Sequence, residues 1–325
     1  VLDDLRAVVQ GFRNSTLDPR DYYTDFVELT APCYANTPLR HHNDAVEHAD
    51  KDLFLLAVEY CWWIRPRRCI FEMTPEYGHA YEDHQQVVKA MHQCDLHPQV
   101  TPRFPSCYCG DATHRDRFVA NCSTRVSPAF DLLDYCQSEV TPFTAVIDPL
   151  DAVPDDHWCV GRHVSFTRAV LAGEKQHCST DTRFEGKRDL NNFSSRSRVV
   201  GYIDGSHSRE DKVYSIDFPV PTITSFHMRV LDTRRLKQGY ELHQCVRFVT
   251  LRESIRASSF FPEQENYLLS LPYDDAIHMV AGAVPGRMLY CMYVAMIDQE
   301  LSSMALLSDD GSHSSNTFDA IVDCS

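Results

Sequence analysis

The run Arg65-Pro-Arg-Arg-Cys-Ile-Phe-Glu-Met-Thr-Pro-Glu-Tyr-Gly78 decides how the fold is read. Upstream of it, Ala45, Val46, Ala49, Leu53, Leu56, Ala57, Tyr60 and Ile64 recur at three- and four-residue steps, the spacing of one helix face. Pro66 stops that helix, because proline has no N–H to give the ladder and its ring clashes with the preceding turn. Cys69, Ile70 and Phe71 form a short apolar run that closes on Glu72. Pro75 and Gly78 mark a turn, and a second helical pattern covers 81–91. Helix, strand, turn and helix in this order predict the entry into an α/β unit.

The pattern continues downstream. Phe118-Val119-Ala120, the run Phe143 to Asp148 and the run Arg198 to Asp204 read as further strands. Stretches 226–232 and 245–251 alternate apolar and polar residues around the polar turn 234–239, which predicts an antiparallel hairpin. The expectation is a Rossmann-like, mostly parallel sheet with an antiparallel hairpin. An N-terminal helical lead (1–44) precedes the Rossmann-like domain (45–252), and a C-terminal extension (253–325) follows it. The most apolar stretch, 276–307, is broken by Pro285, Gly286, Arg287 and Asp298 and reads as core rather than a membrane span.

Composition narrows the function. The chain of 325 residues carries 46 Asp and Glu against 31 Lys and Arg, a net charge of -15. Bulk attraction to nucleic acid or to an anionic membrane is therefore not expected, although a local basic patch is compatible with that total. Glycine, at 12 residues, is about half its usual share of about 7%, which disfavours glycine-rich phosphate loops. The 13 cysteines contain no C-x-x-C pair, so zinc ribbons and thioredoxin-like redox motifs find no support. They read as small apolar residues of a reduced, cytoplasmic protein.

Four apolar runs end on an acid: Glu72, Asp148, Asp204 and Asp232. In open α/β sheets ligands bind beyond the carboxyl ends of the strands, where acids accept hydrogen bonds from ribose hydroxyls or hold a divalent cation. The alternative is that each is a solvated strand cap.

Here the 65–78 segment resembles the first motif of class I S-adenosylmethionine-dependent methyltransferases, in which a strand ends in an acid followed by a glycine-rich turn. Glu72 stands at the acidic position and Gly78 at the last glycine; Thr74 and Glu76 occupy the other two glycine positions, a departure that crowds the approach of a cofactor. The resemblance implies that Glu72, Gly78 and Asp95 bind S-adenosylmethionine, Asp95 through its ribose. It also implies that Asp148 lies beside the transferred methyl group. A second register looks like the metal-dependent sugar O-methyltransferase branch: in Tyr202-Ile-Asp-Gly-Ser-His207 and Val230-Leu-Asp232, Asp204 and Asp232 would hold Mg and His207 would be the base. The first register is preferred.

The function so implied is methyl transfer to an oxygen or nitrogen acceptor, small or macromolecular. The alternative, motivated by the lost glycines, is a non-catalytic structural or assembly subunit on the same fold. No membrane partner is expected, and the assembly state is left open up to a homo-oligomer or larger complex.

Overall fold

The computed structural model describes residues 2–30, 53–73, 80–124, 131–136, 139–158, 200–203, 212–216, 219–223 and 228–309. Gly78, Asp204 and His207 lie outside the described residues.

The expected entry into the α/β unit is present. Helix α1 (Leu2–Arg13) leads to strand β1 (Phe26–Thr30); helix α2 (Leu53–Ile64) leads to β2 (Arg68–Met73), helix α3 (Ala80–Gln93) and β3 (His97–Pro105). A 3-10 turn, Ser106–Cys109, and the short β4 (Thr113–His114) bring the chain into β5 (Asp116–Ser123). Sheet A has the order β1-β2-β5-β3. β1 pairs parallel with β2, whereas β5 runs antiparallel to both β2 and β3. Three of its four strands therefore share one direction although two of its three pairings are antiparallel, and this mixed sheet with its helices is consistent with the expected Rossmann-like fold.

The second sheet is antiparallel throughout, in the order β10-β9-β6-β7. It is built from β6 (Val200–Ile203), β7 (Lys212–Ser215), β9 (Met228–Leu231) and β10 (Val246–Phe248), while β8 (Val220–Pro221) pairs with β4. β9 and β10 are the predicted hairpin, with Leu231 opposite Val246. One expectation fails: Phe143 to Asp148 is not a strand. Phe143–Ala145 is a 3-10 turn with Pro142 as its N-cap. Pro149 follows directly, so both ends of the run lack the N–H a ladder needs, and Phe143 is instead buried as a core plug.

Alternation on β2 organises the core. Cys69, Phe71 and Met73 face a cluster that includes Leu53, Phe54, Val58 and Cys61 of α2 and Val87 and Met91 of α3. Ile70 faces the other way with Phe104 and Val119, against Met288, Met292, Ala295 and Met296. These four belong to the last helix. The segment expected as a C-terminal extension folds into α4 (Leu251–Ala257), α5 (Pro262–Leu269), α6 (Tyr273–Gly282) and α7 (Gly286–Asp309). It therefore completes the core: α7 covers one face of sheet A, and α4 to α6 pack with β9 around Val230, Ile255, Ile277 and Val280. By length and composition alone the stretch Tyr273–Ala305 could cross a membrane. It is two helices with Pro285 between them, and the inner face of each is buried against protein.

The α7 face of sheet A carries charge at both ends of β2. At the start of the strand, Arg68 reaches the helix: Nε donates to Glu300 Oε2 at 3.0 Å and Nη2 to Ser303 Oγ at 3.0 Å, while Nη1 donates to the Gln299 side chain. Gln299 in turn donates to Gln99 Oε1 at 2.8 Å and accepts from Asn121. That end is fully tied and clamps the helix to the sheet. The other end of β2 holds Glu72.

Candidate functional site

Glu72 is the penultimate residue of β2, opposite Thr30 of β1 and Val119 of β5. By strand alternation it shares the α7 face with Arg68 and Ile70, and it is 1% exposed. Arg117 at the start of β5 forms an ion pair with it through Nε. Arg115 lies two residues earlier on the same strand approach and is also buried. Its Nη1 donates to Ala281 O at 2.5 Å and its Nη2 to Gly282 O at 3.2 Å, the unpaired carbonyls at the end of α6.

The loop that carries these arginines is closed on itself. Ser106 N donates to Arg115 O at 3.0 Å, Arg115 N donates to Ser106 Oγ at 3.1 Å, and that hydroxyl donates to Thr113 O at 2.7 Å. Gly110 turns the chain with φ +95, a conformation that glycine adopts without a Cβ penalty, and Arg287 Nη1 holds its carbonyl at 2.8 Å.

Burial dominates the chemistry of Glu72. Removal from water pushes its carboxyl up, the Arg117 and Arg115 charges pull it down, and Glu28 on β1 pushes it up again; the net direction is up. Glu72 Oε1 and Arg117 Nε touch as an ion pair, and a hydrogen bond from Arg117 also pulls the Glu72 carboxyl down, though less than burial pushes it up. Nearby, the His84 ring stacks on Phe118 with centroids 4.3 Å apart and forms an apolar wall on the opposite face of the sheet.

The other acids read from sequence fall elsewhere. Asp95 is at the opposite end of sheet A, just before β3, whose His97 pairs with Ser123 beside Arg68. It has φ +55, and the flanking Leu96 N donates to Met91 O at 2.9 Å. This is a left-handed helix stop for α3. Among the described residues its exposed carboxylate pairs with Arg65, at 3.5 Å. Glu72 and Asp95 therefore do not converge on one ligand.

Asp148 and Asp232, by contrast, are brought together in a closed network. Asp148 Oδ2 accepts from Thr250 Oγ1 at 2.6 Å and Oδ1 from Arg256 Nη1 at 3.0 Å, while its backbone N donates to Glu253 Oε1 at 2.9 Å. Asp232 accepts from Arg234 Nε at 2.8 Å and from Arg247 Nε at 3.0 Å. Arg247 Nη1 and Nη2 grip Glu253 at 2.8 and 2.6 Å, and Arg234 Nη1 donates to Asp148 O at 2.8 Å. Burial pushes Asp232 up, but the bonds from Arg234 and Arg247 and their charges outweigh it and hold the carboxyl below its ordinary range.

Three acids thus meet three arginines, and the network anchors α4 to the antiparallel sheet. Asp232 spends its oxygens on guanidinium groups. Among the described residues no group of three or more His, Cys, Asp or Glu side chains could hold a metal ion. Mg therefore gains no support here.

Sequence reading found Glu72 but not its partners. The signal was present: Arg115 and Arg117 precede an apolar strand at a two-residue step, so both point to the same buried face, where a guanidinium must find an acid. Thr250-Leu-Arg-Glu253 likewise has the spacing of a capping box, and both of its bonds are made.

No family model matches the chain, and no curated protein matches it in sequence. Solved structures do match in shape. The Dnmt2 methyltransferase of Schizosaccharomyces pombe superposes with a TM-score of 0.53 at 10% identity, over 87% of this chain and 82% of that one. The Entamoeba histolytica methyltransferase EhMeth gives 0.51 at 9%, over 90% and 80%. A candidate DNA modification methyltransferase encoded within an Escherichia coli prophage gives 0.50 at 10%, over 91% and 83%. The chain thus has the fold of the class I S-adenosylmethionine-dependent methyltransferases.

Proposed function

We propose that the chain serves methyl transfer from S-adenosylmethionine to a nucleic-acid base, and that Glu72 with Arg117 forms the acceptor side of the site. The shared fold supports methyl transfer, and the name of the prophage neighbour supports a DNA base as acceptor. The observation that carries the reading is the buried Glu72 carboxyl paired with the buried Arg117 at the carboxyl end of β2.

The chemistry follows from that pair. A carboxyl pushed up by burial takes up a proton more readily than a surface glutamate, and in that form it donates a hydrogen bond while retaining acceptor capacity. Beside it, the guanidinium offers donors in a fixed plane. A neutral acid and a planar cation side by side complement a flat heterocycle that presents a ring nitrogen next to a carbonyl oxygen. Protonating or hydrogen-bonding that ring nitrogen draws electron density from the ring and lets Glu72 return the proton as the reaction closes. Arg115, anchored on the end of α6, keeps positive potential on this spot and excludes water with the α7 face above it.

The donor side is different. Of the residues that the resemblance assigns to the cofactor, Glu72 is engaged by Arg117 and Asp95 sits at the far end of the sheet, so these two do not form a cradle for S-adenosylmethionine.

The test uses S-adenosylmethionine carrying a tritiated methyl group, incubated with the full chain and with unmethylated duplex DNA or RNA, followed by nucleoside analysis. The reading expects label on a base, lost in Glu72→Gln. Absence of label on every nucleic acid would overturn it and favour the non-catalytic alternative.

A further inference from the structure

The break between α6 (Tyr273–Gly282) and α7 (Gly286–Asp309) sets two helix ends side by side. The last carbonyls of α6 and the first N–H groups of α7 have no partners within their own helices. Pro285, just before α7, has no side-chain oxygen with which to cap it. Both ends are capped instead by the loop 110–115 that leads into β5. Asp111 Oδ2 accepts from Met288 N, in the first turn of α7, at 3.2 Å. Arg115 Nη1 and Nη2 donate to Ala281 O and Gly282 O at the end of α6. An acceptor meets the donor end and a donor meets the acceptor end, so the loop fits the break in one orientation; reversed, donor would face donor.

Neighbouring bonds make the joint rigid. Arg287 Nη1 holds Gly110 O at 2.8 Å, and Ala112 N donates to Ala257 O at the end of α4 at 2.9 Å. Gly286 N donates to Ser258 O at 2.8 Å, and a Cβ on Gly286 would run into Ser259 O, so the start of α7 is pressed against the backbone after α4. Asp111 is 0% exposed, and its carboxyl is spent inside this joint rather than on solvent. Within the loop, Asp111 N donates to Ser106 O at 3.4 Å, and Ser106 Oγ ties Thr113 O and Arg115 N together. A displacement at Asp111 is therefore passed along the loop, and Arg117, two residues beyond Arg115, is the side chain that meets Glu72.

We infer that Asp111 is a positioning residue of the Glu72 site: by locking the loop into the α6–α7 break, it sets where Arg117 stands against Glu72. This rests on the reading of Glu72 and Arg117 as the acceptor side, but its consequence can be read without any methyl transfer. Without the Asp111 acceptor, Met288 N loses its partner and Arg115 holds the loop to the break from one side only. Arg117 then moves off the carboxyl. Attraction between charges falls with distance, so Glu72 keeps its proton to higher pH, with Arg115 and Glu28 as the remaining charges that face it.

The experiment reads Glu72 rather than the reaction. The full chain is labelled with carbon-13 at its glutamate carboxyls, and the Glu72 signal, assigned with Glu72→Gln, is titrated. Asp111→Ala should raise its midpoint by about one pH unit or more. Asp111→Asn, whose amide oxygen still accepts from Met288 N, should stay near the native midpoint. Arg287→Met, an exposed change that releases Gly110 and keeps Asp111, should move it in the same direction by less, and it serves if Asp111→Ala does not fold. Arg247→Met weakens the fold through the other charge cluster and should leave the midpoint in place. Equal Glu72 midpoints in the native chain, Asp111→Ala and Arg287→Met overturn the inference, as does an equal rise in Arg247→Met, because Asp111 would then stabilise without positioning. In the tritium assay, kcat should fall at least tenfold in Asp111→Ala and recover in Asp111→Asn. If no nucleic acid takes label, the acceptor reading falls, and the Glu72 titration still decides the role of Asp111.

Discussion

Two buried charge clusters in this protein use the same side chains to opposite effect. Around the antiparallel sheet, Asp148, Asp232 and Glu253 meet Arg234, Arg247 and Arg256, and the carboxyl oxygens that bond there are held by aligned donors. The arginines win over burial, and Asp232 stays ionised. At the end of β2, Glu72 has Arg117 in contact and Arg115 nearby, with no second guanidinium bonded to it among the described residues, and burial wins. The difference lies in the number of bonded partners rather than net charge: a network in which every carboxylate is held by several donors repays desolvation, whereas a single pair under full burial does not.

The largest effect that separates them is on stability. Arg247→Met leaves Asp232 and Glu253 buried without their shared cation, and it should cost about 3–5 kcal/mol in urea unfolding. A loss under about 1 kcal/mol would mean that the network is not what anchors α4.

Glu72→Gln is the mirror case. Methyl transfer should fall by roughly 10²–10⁴-fold, the usual share of a proton-handling group. Stability at neutral pH should change little, since the amide replaces a carboxyl that burial already pushes toward its neutral form. If the variant unfolds as readily as Arg247→Met, the two clusters are of one kind and the contrast is broken.

The pH profile of stability sharpens the comparison further. Asp232 is held below its ordinary range, so its contribution is present above about pH 4 and is lost as pH falls through its folded value. Glu72 is raised, so the native state binds the extra proton; stability falls as pH climbs from the ordinary carboxylate range through the folded value. Arg247→Met should blunt the acid limb and Glu72→Gln the alkaline one, each read from unfolding midpoints across pH.

Asp111 gives the smallest signal in the same direction. Burial pushes it up to about 7, against bonds from Ser259 and from the Met288 and Arg287 backbone at the start of α7. Stability contributed by its neutral form should fade between about pH 4 and 7, and Asp111→Asn should flatten that part of the curve. A profile unchanged in Asp111→Asn would show the site to be wetter than its burial implies.

What the sequence displayed depended on the range of the interaction. The 65–78 segment carried its own helix stop, apolar run and turn, so helix, strand and helix were legible, as was the β9–β10 hairpin with its local turn. Phe143 to Asp148 misled because hydrophobicity there serves a core plug, and only the flanking Pro142 and Pro149 argued against a strand. Asp95 had the right spacing for a ligand acid but works as the stop of α3, a role set by backbone conformation. The partnership of Glu72 with Arg117 spans distant positions and needed the register of β2 against β5, which no local pattern displays. The same holds for Asp148, which meets Asp232 through Arg234 and through Thr250 at the start of α4 and Glu253 and Arg256 within it.

The protonation state of Glu72 can be read directly by carbon-13 NMR of the chain labelled at glutamate carboxyls, with Glu72→Gln to assign the signal. The account predicts a carboxyl that stays protonated while surface glutamates ionise, titrating above the ordinary value of 4.5. A Glu72 signal that titrates at or below that value would make it one more ion-paired structural acid.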